Sequence, residues 1–395
     1  MNQLVETLDI TQPGFFLRED YYETLAWLRA NAPVHRLADG TWLLSTYDDI
    51  RAISRQPERY SSRHGVLIND PARTVGPNDE MGSLIHLDPP IHADYRKLLN
   101  RRFTPRAVGG MEEAVRAVTD AVLDTLAPGD EIDAVEHIAS PIPLAVIADL
   151  LGVAEGDRTD FRRWSDAVIE VSDDPSDERT QATGELFMYL DALVSERTAA
   201  PGDDLISMLI ASEVGGRPLT QGQLVLFCLT LLVAGNETTR SLLSGGLDVL
   251  ARHPDQRAAL AADDDLLPGA VEECLRWVTP IQAFCRTTTE PVEVGGHSID
   301  AGSYLVMLYA SGNRDESAFG PTADRFDVTR PMTPAHVAFG FGEHLCLGAA
   351  LARLEARVVL EQVLRRFPEY EVTGPGSYVP STLTRSHSTL PMRLA

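Results

Sequence analysis

A short glycine-rich segment, His336 to Gly348, constrains the fold of this chain more than any other stretch. It reads HVAFGFGEHLCLG, so three glycines and a single cysteine fall together just before a predicted helix. Glycine permits backbone angles that other residues avoid and lets a flat group approach the main chain closely. Apolar residues at helical spacing follow Cys346 and continue to the stop at Phe367-Pro368. A cysteine at the start of a helix lies near the positive end of the helix dipole, which favours the thiolate, a metal ligand.

The neighbours of Cys346 indicate which metal group the thiolate would bind. Structural zinc needs about four protein ligands, and only His336 and His344 lie close by, without the paired spacing of zinc sites. An iron held by a porphyrin needs one protein ligand. The pattern Phe339-x-x-Gly342-x-His344-x-Cys346-x-Gly348 resembles the haem loop of the soluble bacterial cytochrome P-450 family at every fixed position. The alternative, a buried structural cysteine in a turn, is disfavoured by this spacing.

The resemblance implies haem b (iron protoporphyrin IX) as the cofactor. It makes Cys346 the metal ligand, with Phe339 and His344 as further cofactor-binding residues. It also implies the fold class: mainly α with small β-sheets, with the haem between the long central helix and the helix that follows the cysteine. The expected organisation is a single P-450 domain over residues 1–395, β-rich over about 1–60 and helical in the remainder.

Composition narrows the possible partners. The chain has 395 residues, with 34 Lys and Arg against 58 Asp and Glu, and a formal net charge of −24. A surface this acidic repels nucleic acid and anionic membranes. Residues 1–20 lack the basic start and apolar run of a signal peptide, and the apolar stretch Leu224 to Ala234 is too short to span a bilayer. The cysteines show no pairing pattern, which indicates a reducing compartment, so a cytoplasmic protein is expected. It is also expected to be a monomer.

A helix is predicted after Asp88-Pro89-Pro90, with His92 and Arg96 four residues apart on one side. A lone pair of this kind is usually a solvated helix face. In the P-450 family the matching His-x-x-x-Arg holds the haem propionates, and buried carboxylates need fixed cationic donors. The resemblance therefore assigns His92 and Arg96 to cofactor binding. Arg286, on an extended segment, is implied as another propionate partner.

The stretch Thr220 to His253 predicts one long helix, apolar nearly all round over Leu224 to Val233 and therefore central. An acid and two hydroxyls follow in Ala234-Gly235-Asn236-Glu237-Thr238-Thr239. From the residues alone, Thr238 bonding back to the Ala234 carbonyl is as good an explanation as a functional one. The P-450 resemblance implies an oxygen-binding groove here, with Glu237 relaying protons and Thr238 hydrogen-bonding the oxygen. Asn236 occupies the variable position and receives no role.

Glu273 and Arg276 lie three residues apart on a further predicted helix. By itself such a pair is a surface ion pair, worth well under about 1 kcal/mol. The resemblance makes it the Glu-x-x-Arg scaffold pair of the family, joined by Arg325. The motifs follow the family order from about Asp88 to the C-terminus. The resemblance also implies a lid made of two helices around the acidic run 172–177. The residues around His387 predict an exposed turn at that position.

The resemblance implies a monooxygenase that hydroxylates an apolar small molecule with O2. Cys346 would push electron density onto the iron, and the Glu237 and Thr238 side would supply protons. No flavin or nicotinamide fingerprint appears, so electrons are expected from an acidic ferredoxin and its reductase. The predicted docking patch consists of Arg96, Arg101, Arg102, Arg106, Arg353 and Arg357. Two alternatives stay open: a peroxide-using haem enzyme, and a non-catalytic haem sensor or carrier.

The expected substrate class follows from the residues predicted to line the pocket. The predicted loop from Ser61 to Leu84 offers aliphatic residues and no aromatic ring. A steroid, a terpenoid and a fatty chain fit such a lining equally well. Gln282 is the candidate for meeting a polar group of the substrate. The predicted pocket residues are Val66, Leu67, Leu232, Ala234, Ile281 and Gln282.

Overall fold

The computed structural model describes residues 8–76, 83–169 and 177–395. The acidic run 172–177, predicted to be a lid loop, lies outside these residues except for its last position. In the described ranges the α-helices are α1 Tyr21–Asn31, α2 Tyr47–Ser54, α3 Ala72–Val75, α4 Ile91–Phe103, α5 Pro105–Gly109, α6 Glu112–Leu123, α7 Pro141–Leu151, α8 Arg158–Ile169, α9 Asp177–Ala199, α10 Leu205–Ile210, α11 Gln221–Arg252, α12 Pro254–Ala262, α13 Leu267–Val278, α14 Tyr309–Gly312, α15 Glu316–Phe319 and α16 Ala349–Arg366.

The strands are short. They are β1 Val34–Arg36, β2 Trp42–Leu44, β3 Tyr60–Ser61, β4 Glu131–Asp133, β5 Glu213–Val214, β6 Arg217–Pro218, β7 Ala283–Thr288, β8 Val292–Val294, β9 His297–Ile299, β10 Tyr304–Leu308, β11 Glu371–Val372, β12 Ser377–Tyr378, β13 His387–Thr389 and β14 Pro391–Arg393.

The chain divides into two compact units. The first consists of Met1–Ala93, Asp265–Ala349 and Tyr378–Arg385. The second consists of Asp94–Asp264, Ala350–Ser377 and Ser386–Ala395.

The first unit is built on a five-stranded sheet with the order β1-β2-β10-β7-β3. Strand β10 pairs in parallel with β2 and antiparallel with β7. Its sequence, Tyr-Leu-Val-Met-Leu, is buried along its whole length. Val306 packs into a core cluster that contains Phe16 and Leu25, while Met307 packs into another that contains Ile50. Alternate residues of a strand point to opposite faces, so both faces of this sheet are covered, and an uninterrupted apolar strand is the expected result.

The β-rich part of the protein is therefore not limited to the first sixty or so residues. That stretch contributes β1 and β2 to the sheet, but it also contains the helices α1 and α2. The neighbouring strands β7 and β10 come from residues 283–308. Strands far apart in the sequence pair to form this sheet. Local sequence patterns do not show which strands pair.

The second unit is organised around α11, which confirms the predicted long central helix. Its first turn carries a capping box, in which the Thr220 side chain accepts from the Gln223 backbone and the Gln223 side chain accepts in return. The helix packs against α7, α8 and α9. A Cβ at Gly235 would lie 2.7 Å from Cδ1 of Ile147 on α7, so glycine permits this close approach.

Of the helices in the three described ranges, none is long and apolar enough to cross a membrane.

Candidate active site

The segment before α16 forms a closed loop around Cys346. The Cys346 backbone N–H donates to the Phe339 carbonyl at 2.9 Å, which returns the cysteine to the start of the loop. Gly340 and Gly342 have φ values of +68° and +71°, a region that favours glycine. A Cβ at Gly342 would lie 1.9 Å from the Ser54 carbonyl oxygen, so no other residue fits there. At Gly348 a Cβ would meet no atom within 4 Å, so this side of the loop is open to a flat group.

Cys346 differs from the other three cysteines in accessibility. Its side chain is exposed, whereas Cys228, Cys274 and Cys285 are buried. Burial raises the pKa of the Cys228 and Cys285 thiols to about 12, because the thiolate is poorly solvated in an apolar core. Those thiols stay protonated at neutral pH. The donor chemistry of an iron-thiolate bond is thus available at Cys346.

Two histidines and an arginine accompany the cysteine loop in the first unit. The ring centroids of His92 and His344 are 4.2 Å apart, and His344 Nε2 lies 3.2 Å from the Ser62 hydroxyl oxygen. Arg286 on β7 is only 4% exposed, and its Nη1 donates to the Cys285 carbonyl at 2.6 Å. Within the described residues Arg286 has no carboxylate partner. A buried guanidinium without a counter-charge is costly, so these residues fit a group that brings its own carboxylates, as haem does with its propionates.

Two other predicted cofactor-binding residues, Phe339 in the cysteine loop and Arg96 on α4, are partly exposed. Phe339 is half-buried, with its ring centroid 5.5 Å from that of His336. His336 accepts from the Ala338 backbone N–H at 3.1 Å, and its Nε2 lies 3.3 Å from a Glu272 carboxylate oxygen, so it stabilises the loop. Arg96 follows His92 on the next turn of α4 and is half-exposed.

On α11 the acid and alcohol side chains differ in their surroundings. Thr238 donates its hydroxyl to the Ala234 carbonyl at 2.6 Å, which is the back-bonded arrangement. Ala234 itself is exposed, so this face of the helix is open. Glu237 is 9% exposed, and its Oε2 lies 2.5 Å from Nη2 of Arg240, three residues further on. The back-bonded Thr238 still has oxygen lone pairs that can accept a hydrogen bond.

The predicted scaffold pair, Glu273 and Arg276, is buried. The further arginine that joins this pair is not the predicted Arg325. Glu273 and Arg276 are 3% and 2% exposed, and two Arg276 nitrogens donate to the Glu273 carboxylate at 2.7 Å each. Arg330 Nε also contacts this carboxylate, at 3.1 Å. Arg325 is exposed and supplies only its backbone carbonyl to Arg276. The assignment of Arg325 to the trio was therefore wrong, and Arg330 takes its place.

Half of the predicted pocket residues have no accessible surface. Val66, Leu232 and Gln282 are completely buried. The Gln282 amide accepts from the Tyr21 hydroxyl at 3.0 Å and donates to the Thr279 carbonyl at 2.5 Å, so it serves the core. A side chain without accessible surface cannot contact a substrate, and these three assignments are not retained. Ala234 is exposed, whereas the other two pocket candidates, Leu67 and Ile281, are half-buried.

Sequence reasoning missed two residues and misplaced a third. No motif marks Ser62, which contacts His344 only because the chain folds back on itself. Arg330 lies five residues after Arg325, and nothing in the sequence distinguishes the two arginines. His387, expected in an exposed turn, is 3% exposed on β13, with Nε2 4.0 Å from the Asp248 carboxylate.

Comparisons with known proteins identify the family and the fold of this chain. The sequence model described as Cytochrome P450 matches residues 168–382. The steroid C26-monooxygenase of Mycobacterium tuberculosis is 38% identical and aligns over 94% of this chain and 92% of its own length. The structure of Mycobacterium marinum cytochrome P450 CYP268A2 in complex with pseudoionone is 34% identical, covers 98% of both chains and has a TM-score of 0.89. CYP109E1 from Bacillus megaterium, solved with testosterone, is 33% identical over 94% of this chain and 99% of its own, with a TM-score of 0.83.

The chain belongs to the cytochrome P450 family. It is a cytochrome P450 monooxygenase, with the mainly α fold and small sheets of that family. Proteins of this family and fold bind haem b through a cysteine thiolate. The predicted family, fold class, enzyme class and cofactor are confirmed.

Proposed function

We propose that this monooxygenase hydroxylates an apolar small molecule, with steroids as the first class to test, using O2 and electrons from an acidic ferredoxin and its reductase. The observation that carries the assignment of the site is the exposed Cys346 in a closed glycine loop of the same unit as the buried Arg286, which has no carboxylate partner among the residues that the structure describes. When bound, haem supplies the oxygen-activating chemistry, and the protein holds and orients the reactants.

The predicted cofactor-binding residues other than Phe339 each have a defined task. Cys346 would hold the haem iron as its thiolate ligand and donate electron density to it. The propionates would be held by charge-assisted hydrogen bonds from His92, Arg286, His344 and Arg96. Ser62 orients the His344 ring through the contact at 3.2 Å.

Two side chains of α11, Thr238 and Glu237, form the proposed route for protons. The Thr238 hydroxyl, fixed by its bond to the Ala234 carbonyl, presents its oxygen as an acceptor on the open face of the helix. Glu237 is the acid that supplies protons on this side. Glu237→Gln keeps the shape and removes the acid, so the fraction of consumed NADH recovered as product should fall by a factor of about 10 to 100.

The proposed substrate class follows from apolar lining and from the relatives. Ala234, Leu67 and Ile281 are the accessible members of the predicted lining, and all three are aliphatic. The relative from M. tuberculosis acts on steroids, and the B. megaterium structure contains testosterone. Terpenoids and fatty chains form the comparison panel, because pseudoionone is the ligand of another similar structure.

A binding screen followed by product analysis tests the substrate proposal. Steroids should shift the Soret band of the haem-loaded protein and yield products heavier by one oxygen. Ala234→Phe should weaken steroid binding by about tenfold or more, because a ring would fill the open face of α11, whereas Ala234→Gly should bind normally at a helix cost of about 1 kcal/mol. Hydroxylation confined to fatty chains would overturn the steroid assignment.

The structure reduces the number of arginines that are candidates for docking the ferredoxin. Arg102 forms an ion pair with Asp203 at 3.0 Å, and Arg357 forms one with Glu112 at 2.7 Å. Arg101 and Arg106 are exposed and form no ion pair within the described residues. These two arginines are the better candidates for docking an acidic ferredoxin.

Charge reversal should separate docking arginines from paired ones. The double variant R101E/R106E should slow reduction by ferredoxin about tenfold or more at low salt, with a weaker dependence on ionic strength. Arg102→Glu is the matched control and should have a smaller effect. Turnover with hydrogen peroxide at rates that ferredoxin does not reach would contradict the ferredoxin proposal and favour a peroxide-using enzyme.

A further inference from the structure

Three long polar side chains are buried in the middle of α11, and only one of them, Glu237, has a proposed role in proton supply. Asn236, Glu237 and Arg240 are 2%, 9% and 6% exposed. Hydroxyl side chains in a helix can bond back to the carbonyl four residues earlier. An amide, a carboxylate and a guanidinium are longer and need other partners, so burying all three within five residues is costly unless something satisfies them.

The hydrogen bonds of this cluster are incomplete. Arg240 Nη2 contacts Glu237 Oε2 at 2.5 Å. That contact is an ion pair without hydrogen-bond geometry. Two Arg240 donors, Nε and Nη2, and the Asn236 acceptor Oδ1 are buried and have no hydrogen-bond partner among the described residues. The two residues lie four apart, so they share one side of the helix with Cβ atoms about 5–6 Å apart.

A single small group can bridge the Arg240 Nε donor and the Asn236 Oδ1 acceptor. A water molecule can accept from Arg240 Nε–H and donate to Asn236 Oδ1. Buried waters occur where two to four polar partners converge. An anion would fit less well, because the Asn236 carbonyl oxygen and the Glu237 carboxylate would repel it.

The cluster also continues from the open face of the helix. At about 100° per residue, Glu237 lies about 100° round the helix from Thr238. Arg240 lies about 60° beyond Glu237, and Asn236 about 40° beyond Arg240. The polar side chains therefore form a strip from the alcohol to the buried side of the helix, with the acid between them.

We propose that Asn236 and Arg240 hold a buried water beside Glu237 and act as positioning residues for its carboxyl group. Arg240 fixes the carboxylate through the contact at 2.5 Å, and the water occupies the remaining donor and acceptor. The inference rests on the proposed role of Glu237 in supplying protons. It assigns a role to the position that the family pattern leaves variable.

The first test is structural and does not depend on turnover. A crystal structure at a resolution that shows ordered water should contain a water within hydrogen-bond distance of Asn236 Oδ1 and Arg240 Nε. Asn236→Leu, which removes the acceptor at similar size, should lack it. Absence of that water from the wild-type structure would overturn the inference.

The second test measures how well proton supply is coupled to product. Asn236→Leu should lower the product formed per NADH about threefold to tenfold, less than direct loss of a proton donor, and raise the solvent isotope effect on turnover. Ser244→Ala is the matched control, since Ser244 is fully buried on the same helix and its hydroxyl bonds to the Ser241 carbonyl at 3.4 Å. This control should leave both quantities unchanged, and steroid binding should be unchanged in both variants.

A pair of arginine variants separates positioning from folding. Arg240→Leu should uncouple turnover about tenfold or more, and Arg240→Lys, which keeps the charge beside Glu237, should recover part of the loss. If Arg240→Leu does not fold, the coupling measured for Asn236→Leu alone tests the proposed positioning of Glu237. Normal coupling in Asn236→Leu together with strong uncoupling in Glu237→Gln would refute this inference and leave the proposed function standing. Normal coupling in Glu237→Gln would refute the proposed role of the acid itself.

Discussion

Two ion pairs in this protein have the same spacing, Glu273 with Arg276 and Glu237 with Arg240, but differ in how completely they are satisfied. All five N–H donors of Arg276 have acceptors: two reach the Glu273 carboxylate and three reach the carbonyls of Asn313, Ala323 and Arg325. Arg240 has a buried Nε without a hydrogen-bond partner in the described part of the chain. A fully bonded pair fixes backbone segments, whereas an incompletely bonded pair leaves capacity for water and protons.

The largest effect is expected at the satisfied pair. Arg276→Ala should lower the free energy of unfolding by about 3–5 kcal/mol, because it removes the donors to three carbonyls and leaves a buried carboxylate with fewer partners. Denaturant unfolding, compared at equal haem content, measures this. A loss below about 1 kcal/mol would contradict the assignment of the pair as the scaffold.

A third buried carboxyl group extends the comparison to pH. Glu355 on α16 is 2% exposed, and its Oε2 has no hydrogen-bond partner among the residues described. Burial raises its pKa from 4.5 to about 8. The folded state therefore keeps the proton between these pH values, whereas the unfolded state has released it.

Stability should accordingly fall as the pH rises from 4.5 towards about 8. The slope attributed to Glu355 is at most about 1.4 kcal/mol per pH unit. Unfolding free energies of the wild type and Glu355→Gln, measured across this range, should diverge by that slope. Parallel curves would mean that Glu355 does not hold a proton in the folded protein.

A smaller effect is expected at the unsatisfied cluster. Asn236→Leu removes an acceptor that has no protein partner in the described part of the chain, so it should change the free energy of unfolding by no more than about 1 kcal/mol in either direction. Thermal or denaturant unfolding measures this. A loss of 3 kcal/mol or so, comparable with that expected for Arg276→Ala, would erase the distinction between the two clusters.

The smallest effect tests the corrected scaffold. Arg325→Ala keeps the backbone carbonyl that Arg276 uses, so stability should change by no more than about 0.5 kcal/mol. Arg330→Ala is the matched comparison and should cost about 1–3 kcal/mol, because its Nε contacts the Glu273 carboxylate at 3.1 Å. The reverse order would restore Arg325 to the trio.

Local features of the site could be predicted because spacing along the chain determines them. The glycines around Cys346 and the helix after it follow from backbone constraints within a dozen or so residues. The central helix follows from an apolar pattern too continuous for a surface helix. The chemistry of this site is concentrated in short segments, which is why a single sequence was sufficient to recognise the family.

Features that depend on distant segments could not be predicted in the same way. The choice between Arg325 and Arg330 is made by the loop that brings one of them to α13. Gln282 was predicted to meet a polar group of the substrate, yet its amide is engaged by Tyr21 and Thr279. Burial and partners from other elements decide such cases, and composition near a motif does not reveal them.

The most direct test of the account is the carbon monoxide spectrum of the reduced, haem-loaded protein. We predict thiolate-type absorption in the wild type and its loss in Cys346→Ser, with the apo-protein of both folded to the same extent. A wild-type spectrum without the thiolate band, or a thiolate band that persists in Cys346→Ser, would contradict the assignment of Cys346 as the iron ligand.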